Sequence, residues 1–314
     1  MKLAFFGTGE FSKNILKGIL DMGTNTDVCL VVSQPDKPVG RDKKVIETPI
    51  KKFSIENNIE VLQPVKLRNN EEFFDKLRKL NLDFIIVVAY GKIMPKEILE
   101  IPKYGCINIH GSILPKYRGA SPIQESLKNG DKKTGLTIMY MSEGMDEGDI
   151  LKIEEIDVDN VDKTGDIFNK FEKIGPKLLI NTLNGIVDGN IKGIPQDNSK
   201  ATYCKKIEKE NGYIDFKNET SFEIYNKFKA YYNWPGIYTF FEGKKLNLEE
   251  ISIVNNTSES RQTGQVIKLE NKKIGVICAD NKVILIEKVK LEGKKSMSTI
   301  DFINGNKSFI NAIL

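Results

Sequence analysis

The chain has 314 residues, 40% of them hydrophobic and 29% charged, a composition typical of a soluble globular protein of about two domains. Its net charge of +4 is too small to identify a nucleic-acid-binding protein by itself, so contacts with a polyanion must come from local basic clusters. No apolar run approaches the roughly 20 residues that span a bilayer, the start lacks the cleavage region of a signal peptide, and the four cysteines form no CxxC pair. We therefore expect a cytoplasmic protein without a membrane partner, a zinc site or a disulfide framework.

The first part of the chain alternates between predicted strands and helices. Continuous apolar runs predict the strands, and apolar residues at helical spacing predict the helices. In chain order these are a strand at 3–6, a helix at 11–20, strands at 28–32, 84–89, 106–110 and 136–141, and helices at 73–80, 121–127 and 167–179, the last bent near Gly175 and Pro176. The alternation predicts an α/β domain over residues 1–189, with a Rossmann-like, mostly parallel sheet and flanking helices.

The rest of the chain does not continue the alternation of strands and helices. Glycine, proline and short polar residues break any periodicity over residues 190–206, which predicts a linker. A predicted helix at 221–232 follows, and then short predicted strands at 238–241, 246–253, 265–269, 274–278 and 283–290. Short strands separated by polar turns predict an OB-like β-barrel domain over residues 207–314.

A glycine-rich turn, Gly7-Thr8-Gly9, follows the first predicted strand and opens the first predicted helix. The position of the third glycine in a dinucleotide-binding fingerprint is Ser12, and no acidic residue closes the second strand. The pattern therefore favours a tight strand-to-helix turn over a dinucleotide site.

His110 is the only histidine in the chain, and therefore the one side chain that titrates near neutral pH without special tuning. Asn108 and His110 alternate at the end of a predicted buried strand, so both side chains lie on the same face. Polar groups at the end of a strand in an α/β sheet are where ligands usually bind. The alternative is a hydrogen-bonded loop histidine.

Two loops carry further candidates. Residues 143–149 (EGMDEGD), the acidic loop, supply carboxylates that can orient a histidine, although such a loop alone is usually a surface turn. Residues 34–44 (QPDKPVGRDKK), the basic loop, contain two prolines and a glycine, which predict the absence of a regular element. A basic loop at a strand end is suited to hold a large anionic substrate. Its alternative is a variable surface loop.

Seven segments together resemble the methionyl-tRNA formyltransferase family over nearly the full length. They are 34–41 (QPDKPVGR), 88–91 (VAYG), 108–115 (NIHGSILP), 117–124 (YRGASPIQ), 144–149 (GMDEGD), 234–236 (WPG) and 293–297 (GKKSM). The stretch at 108–115 is shared by folate-dependent formyltransferases of this fold, whereas the basic loop and the two C-terminal segments are more specific. Lys229, where arginine is more frequent, and Ile113, where leucine is usual, depart from the family pattern.

The resemblance implies transfer of the formyl group of 10-formyltetrahydrofolate to the α-amine of methionyl-initiator tRNA, for translation initiation, without a metal. Asn108 and protonated His110 then stabilise the oxyanion, and Asp146 keeps His110 charged and relays a proton. The remaining candidate residues are implied by the resemblance in two groups. Those for folate are Tyr90, Gly91, Ser112, Ile113, Leu114, Pro115 and Gly144, and those for tRNA are Arg41, Lys43, Lys44, Lys206 and the C-terminal barrel.

Two other functions stay open for the sequence. A folate-dependent formyltransferase that acts on an amino sugar or a nucleotide would share Asn108, His110 and Asp146, but would have less use for the basic loop and the barrel. A non-catalytic RNA-binding protein would use the barrel alone, and the three polar residues argue against it. We expect the chain to act as a monomer.

Overall fold

The computed structural model describes residues 1–23, 25–39, 44–257 and 262–314. They form two compact units. Unit 1 contains residues 1–122, 133–157 and 167–205, and unit 2 contains residues 123–132, 158–166 and 206–314. Residues 190–205 of the predicted linker thus belong to unit 1, and two short segments of the predicted α/β domain belong to unit 2. Within the described ranges, no helix has both the length and the apolar composition needed to cross a membrane.

The described residues form eight α-helices and seventeen β-strands. In chain order they are β1 (Lys2–Gly7), α1 (Glu10–Asp21), β2 (Asp27–Val32), β3 (Lys37–Val39), β4 (Lys44–Ile46), α2 (Pro49–Glu56), β5 (Glu60–Leu62), α3 (Glu71–Lys79), β6 (Phe84–Val88), α4 (Lys96–Leu99), β7 (Cys106–His110), β8 (Arg118–Gly119), α5 (Pro122–Lys128), β9 (Lys133–Tyr140), β10 (Ile150–Asp157), α6 (Thr164–Val187), β11 (Tyr203–Cys204), α7 (Ser221–Ala230), β12 (Ile237–Phe241), β13 (Lys244–Thr257), β14 (Val266–Lys268), β15 (Ile274–Ile277), β16 (Lys282–Leu291), β17 (Met297–Ser298) and α8 (Thr299–Gly305). Short 3₁₀ helices lie at Asn198–Lys200, Lys209–Gly212, Glu270–Lys272 and Lys307–Phe309.

Unit 1 is built on a seven-stranded sheet in the order β10-β9-β7-β6-β1-β2-β5. The strands from β7 to β5 run parallel, and β9 and β10 form an antiparallel edge. Every residue of β6 is buried, as expected for a central strand of a parallel sheet. The parallel strands end at the same edge, so the loops after β1, β2, β6 and β7 meet there. The predicted mostly parallel sheet with flanking helices is confirmed.

The expectation that the basic loop lacks a regular element is wrong. The strands β3 and β4 pair as an antiparallel ribbon, with Lys37 opposite Ile46, Pro38 opposite Val45 and Val39 opposite Lys44. A ribbon of two strands has a free edge on each strand, and proline, which has no N–H to donate, is tolerated at such an edge.

Unit 2 contains an antiparallel sheet in the order β12-β13-β16-β15-β14, with β17 paired to β16. Phe241, Phe302 and Phe309 pack edge to face beneath it, with ring centroids 5.0–5.9 Å apart. This antiparallel half-barrel confirms the predicted C-terminal β-domain.

Candidate active site

Asn108 and His110 lie on β7, and the two-residue period of the strand directs both side chains to one face. His110 is 5% exposed, and its Nε2 lies 3.0 Å from the carbonyl oxygen of Tyr117. Because a carbonyl oxygen only accepts, Nε2 carries a proton, and the other ring nitrogen, Nδ1, faces Asp146. The Nδ1 to Oδ2 distance is 3.6 Å.

Asp146 completes the cluster. Its Oδ1 lies 3.5 Å from the Nδ2 of Asn108, and its Oδ2 accepts a hydrogen bond of 2.8 Å from the backbone N–H of Gly119. The distances to Asn108 and His110 are longer than those of good hydrogen bonds. An amide, an imidazole and a carboxylate therefore converge on one point, as the sequence predicts.

The acidic loop reaches this point by a route that strand order alone does not predict. The strand β9 is antiparallel to β7, so the N–H of Met141, just after β9, bonds to Cys106 at the start of β7. The loop must return along β7 to bring Asp146 beside Asn108 and His110. Asp146 has φ +53°, in the left-handed region, which raises its energy by about 1–2 kcal/mol.

The turn after β7 holds the predicted folate residues 112–115. Thr137 on β9 binds this turn twice, because its hydroxyl donates to Ser112 O at 2.6 Å and accepts from Leu114 N–H at 3.2 Å. The side chains of Ser112 and Leu114 are buried, whereas Ile113 and Pro115 are half-buried. A ligand at this turn would therefore contact main-chain groups, Ile113 and Pro115.

The segment after β6 holds Tyr90 and Gly91. The ring of Tyr90 packs on Phe6 in the core, and burial raises the pKa of its phenol to about 12. Its carbonyl oxygen accepts from Gln34 Nε2 at 2.6 Å. Gly91 is exposed with φ +76°, so a ligand contact here falls to the main chain of Gly91 and not to the Tyr90 side chain.

The base of the basic loop is held by Asp36. Lys51 pairs with its carboxylate at 2.5 Å, and Gln63 donates to it at 2.7 Å. Burial opposes ionisation of Asp36, but the hydrogen bonds from Lys51, Gln63 and the Thr48 N–H outweigh it and lower the pKa of this carboxyl group.

Of the four predicted tRNA residues, two have a described position. Lys44 is exposed on β4 of unit 1, and Lys206 is exposed in unit 2. Arg41 and Lys43 lie outside the described residues. Gly144, the last predicted folate residue, is exposed in the acidic loop.

Two residues near the site escape sequence reasoning. Arg118 is only 1% exposed, and its guanidinium donates to the side chain of Gln196, whose amide in turn donates to the acidic loop. Arg118 lies in one of the segments that resemble the family, but no local pattern links it to Gln196, which is 78 residues away.

The glycine turn at 7–9 is a tight connection, since a Cβ at Gly7 would lie 2.5 Å from the Cβ of Ser12.

Comparison with known families identifies the class of this protein. A formyl transferase family model matches residues 1–183, and the model of the formyl transferase C-terminal domain matches residues 206–307. The fold and these two matches are those of a formyl transferase. The chain is 45% identical to the methionyl-tRNA formyltransferase of Caldicellulosiruptor saccharolyticus over 98% of this chain and 97% of the relative. It therefore belongs to the methionyl-tRNA formyltransferase family.

One further sequence relative and one solved structure are also similar to this chain. The methionyl-tRNA formyltransferase of Clostridium novyi is 41% identical over the whole of both chains. The crystal structure of an N-formyltransferase from Helicobacter canadensis, solved with folinic acid and dTDP-3-aminofucose, has a TM-score of 0.65 at 18% identity, and covers 91% of this chain and 98% of its own. At that identity the likeness shows a common fold alone.

Proposed function

We propose that this chain transfers the formyl group of 10-formyltetrahydrofolate to the α-amine of methionyl-initiator tRNA. The observation that carries the proposal is the convergence of Asn108, His110 and Asp146, in a chain 45% identical to a methionyl-tRNA formyltransferase. The reaction forms a bond between the amine nitrogen and the formyl carbon, and breaks the bond from that carbon to N10. The amine loses a proton, and N10 gains one.

Each of the three groups has a distinct role in this proposal. Asn108 Nδ2 donates a hydrogen bond to the formyl oxygen as negative charge develops there, and His110, protonated at Nδ1, donates a second one. Asp146 forms an ion pair with the imidazolium and relays the proton that the amine releases to the departing N10, directly or through one water molecule. The hydrogen bond from His110 Nε2 to Tyr117 O keeps the ring in the orientation that presents Nδ1.

A folate supplies an activated formyl amide when bound, and two features of unit 1 are candidates for contacts with it. A cavity of about 240 Å³ lies beside the segment after β6 and is bordered by Glu143 of the acidic loop. Its walls carry two cations, Arg68 and Lys96, beside two carboxylates, Glu97 and Glu143, and the two cations are candidate partners for the carboxylates of a glutamyl tail. Ser142 Oγ is buried with no partner in the described part of the chain, and it offers a polar contact to a heterocycle.

The outer face of the half-barrel supports RNA as the second substrate. Tyr213, Tyr238 and Phe240 pack together with ring centroids 5.8–6.0 Å apart, and Phe240 is 50% exposed. Lys245 lies opposite Phe240 on β13, and its Nζ is 3.6 Å from the centroid of Tyr238. Exposed rings combined with lysines are typical of surfaces on which unpaired bases stack. This face and Lys206 in unit 2, and separately the basic loop in unit 1, are the candidate contacts for the tRNA.

The test is mass spectrometry of methionyl-tRNA after incubation with the full chain and 10-formyltetrahydrofolate. The expected product is heavier by one formyl group in place of a hydrogen, on the initiator tRNA. A dTDP-linked amino sugar serves as the competing acceptor. Formylation of the sugar with unchanged methionyl-tRNA would replace this proposal with the sugar-modifying alternative.

A further inference from the structure

The buried guanidinium of Arg118 has no acidic partner within the described residues. Its Nε and Nη2 donate to Gln196 Oε1 at 3.1 and 2.8 Å, Nη2 donates to Asn198 Oδ1 at 2.8 Å, and Nη1 lies 3.4 Å from Tyr203 Oη. A buried cation is usually paired with an anion, because desolvation costs several kcal/mol. At 1% exposure the side chain cannot contact a substrate phosphate. The Arg118 side chain therefore acts through its contacts with other residues of the chain.

The contacts of Arg118 fix the orientation of the Gln196 amide. Arginine only donates, so the oxygen of that amide must face Arg118 and the nitrogen must face away. The nitrogen donates to two carbonyl oxygens of the acidic loop, that of Asp146 at 2.9 Å and that of Gly148 at 2.7 Å. One side chain thus holds the loop on both sides of Glu147.

A second contact from the same element holds the side chain of Asp146. The N–H of Gly119, the residue after Arg118, donates to Asp146 Oδ2 at 2.8 Å. Only glycine suits this position, because φ is +122° and a Cβ would lie 2.1 Å from the carbonyl oxygen of Cys204. Asp146 has a strained backbone conformation. Its carbonyl oxygen is bonded to Gln196, which Arg118 orients, and its carboxylate is bonded to Gly119.

We propose that Gln196, with its amide oriented by Arg118, is a positioning residue for formyl transfer. It holds Asp146 in the left-handed conformation that brings the carboxylate to His110 and Asn108. This inference rests on the proposed function and adds two residues to it. Neither residue touches the reacting atoms, so their effect passes through Asp146 alone.

The substitution Gln196→Glu separates positioning from folding. Glutamate has the same shape and still accepts from Arg118, with an ion pair added, but it has no N–H for the carbonyl oxygens of Asp146 and Gly148. We expect a melting temperature at or above that of the parent chain and a kcat lower by about 10²-fold, since misplacing a catalytic group by about 1 Å has this effect. The matched control is Asn198→Asp, which also keeps an acceptor on Arg118 but touches no part of the acidic loop. Its kcat should stay within about threefold of the parent value.

Two further measurements test whether Gln196 affects kcat through Asp146. In an Asp146→Asn background, Gln196→Glu should lower kcat by less than about threefold, because residues that act through one another are not additive. Hydrogen exchange of peptides over residues 141–149 should speed up in Gln196→Glu and stay unchanged in Asn198→Asp.

The possible failures are distinguishable. Full additivity of the two substitutions, or parent-like kcat in Gln196→Glu, would overturn the positioning role. Unchanged hydrogen exchange in Gln196→Glu would overturn the contact with the loop. Absence of formyl transfer by the parent chain would instead overturn the proposed function, and the exchange experiment would still test the contact.

Discussion

The acidic loop and the basic loop are held in opposite ways. In the acidic loop, Asp146 is bonded through its backbone to Gln196 and through its carboxylate to Gly119, and its side chain is 18% exposed. The basic loop is held at its base by Asp36, whereas Val45 and Ile46 on β4 are 63% and 50% exposed. A group that moves a proton must be in place before substrate arrives. A surface that receives a macromolecule must be accessible, and under the proposed function the exposed ribbon with its anchored base meets this requirement.

The largest effect is expected from removal of the charge of the acidic loop. Asp146→Asn keeps the shape and the oxygen that accepts from Gly119, but loses the carboxylate that pairs with the imidazolium. The kcat should fall by about 10²–10⁴-fold, the range of general acid–base catalysis, with folate affinity largely kept. Single-turnover kinetics and folate titration measure the two quantities. Normal turnover with weakened folate binding would make Asp146 a folate ligand instead.

Asn108→Ala removes one donor to the developing oxyanion without touching either loop. The expected fall in kcat is about 10²–10³-fold, because a preorganised donor acts mainly in the transition state. Steady-state kinetics should show little change in KM for either substrate. A change in KM alone would mean that Asn108 contributes to ground-state binding only.

Gly148→Ala tests whether the path of the acidic loop matters by itself. A Cβ at Gly148 would lie 2.0 Å from the carbonyl oxygen of Tyr140, a backbone atom that cannot move aside cheaply. We expect a fall in kcat of about 10²-fold from the displaced Asp146. The control in the same loop is Met145→Ala, which removes a side chain that is 61% exposed and should leave kcat unchanged. Equal kinetics for the two variants would contradict the importance of this path.

Lys44→Ala and Arg41→Ala test the basic loop and should act on tRNA only. Each removes one cation, so the KM for initiator tRNA should rise several-fold, and the slope of log affinity against log salt should fall by about one. Folate affinity should stay unchanged. Fluorescence titration of both ligands across a salt series measures this. Impaired folate binding with unaltered tRNA kinetics would reassign the loop.

Asp36→Asn should give the smallest effect, on stability. The pKa of Asp36 is lowered in the folded state, so its charge stabilises the fold at neutral pH, and this contribution is lost as pH falls from about 4 through the folded pKa. Because the pair with Lys51 is partly exposed, we expect a loss of about 0.5–1 kcal/mol at pH 7 and a smaller loss at pH 2. Urea unfolding at the two pH values measures it. A constant difference at both would exclude the ionised carboxylate as the cause.

Local patterns predict the centre of the molecule better than its edges. The strand β6 is predicted by its continuous apolar run. The alternation of polar and apolar residues on β7 likewise predicts that Asn108 and His110 lie on one face of that strand. The strand β10 is not predicted, since an edge strand keeps charged side chains such as Lys152 and Glu154 that resemble a loop. The ribbon of β3 and β4 is hidden for a related reason, because it is exposed and contains Pro38.

The support of Asp146 could not be predicted from any local pattern. Gln196 lies in a segment whose glycine and proline predict a linker, and its partner Arg118 is 78 residues away. Long-range pairs between polar side chains leave no periodicity in a sequence. Strand alternation and residue chemistry single out Asn108 and His110, and the family resemblance adds Asp146, whereas the contacts that support them are visible only in the three-dimensional structure.

The pairing of β11 with β8 has a consequence for synthesis. Arg118 and Gly119 pair with Tyr203 and Cys204, so the last segment of unit 1 lies beside the acidic loop. A nascent chain released up to residue 189 would contain Asn108, His110 and Asp146, yet it would lack Gln196 and β11. The support of the site can be complete only once Cys204 has left the ribosomal tunnel. A fragment made for study of the isolated unit would accordingly have to end after residue 205.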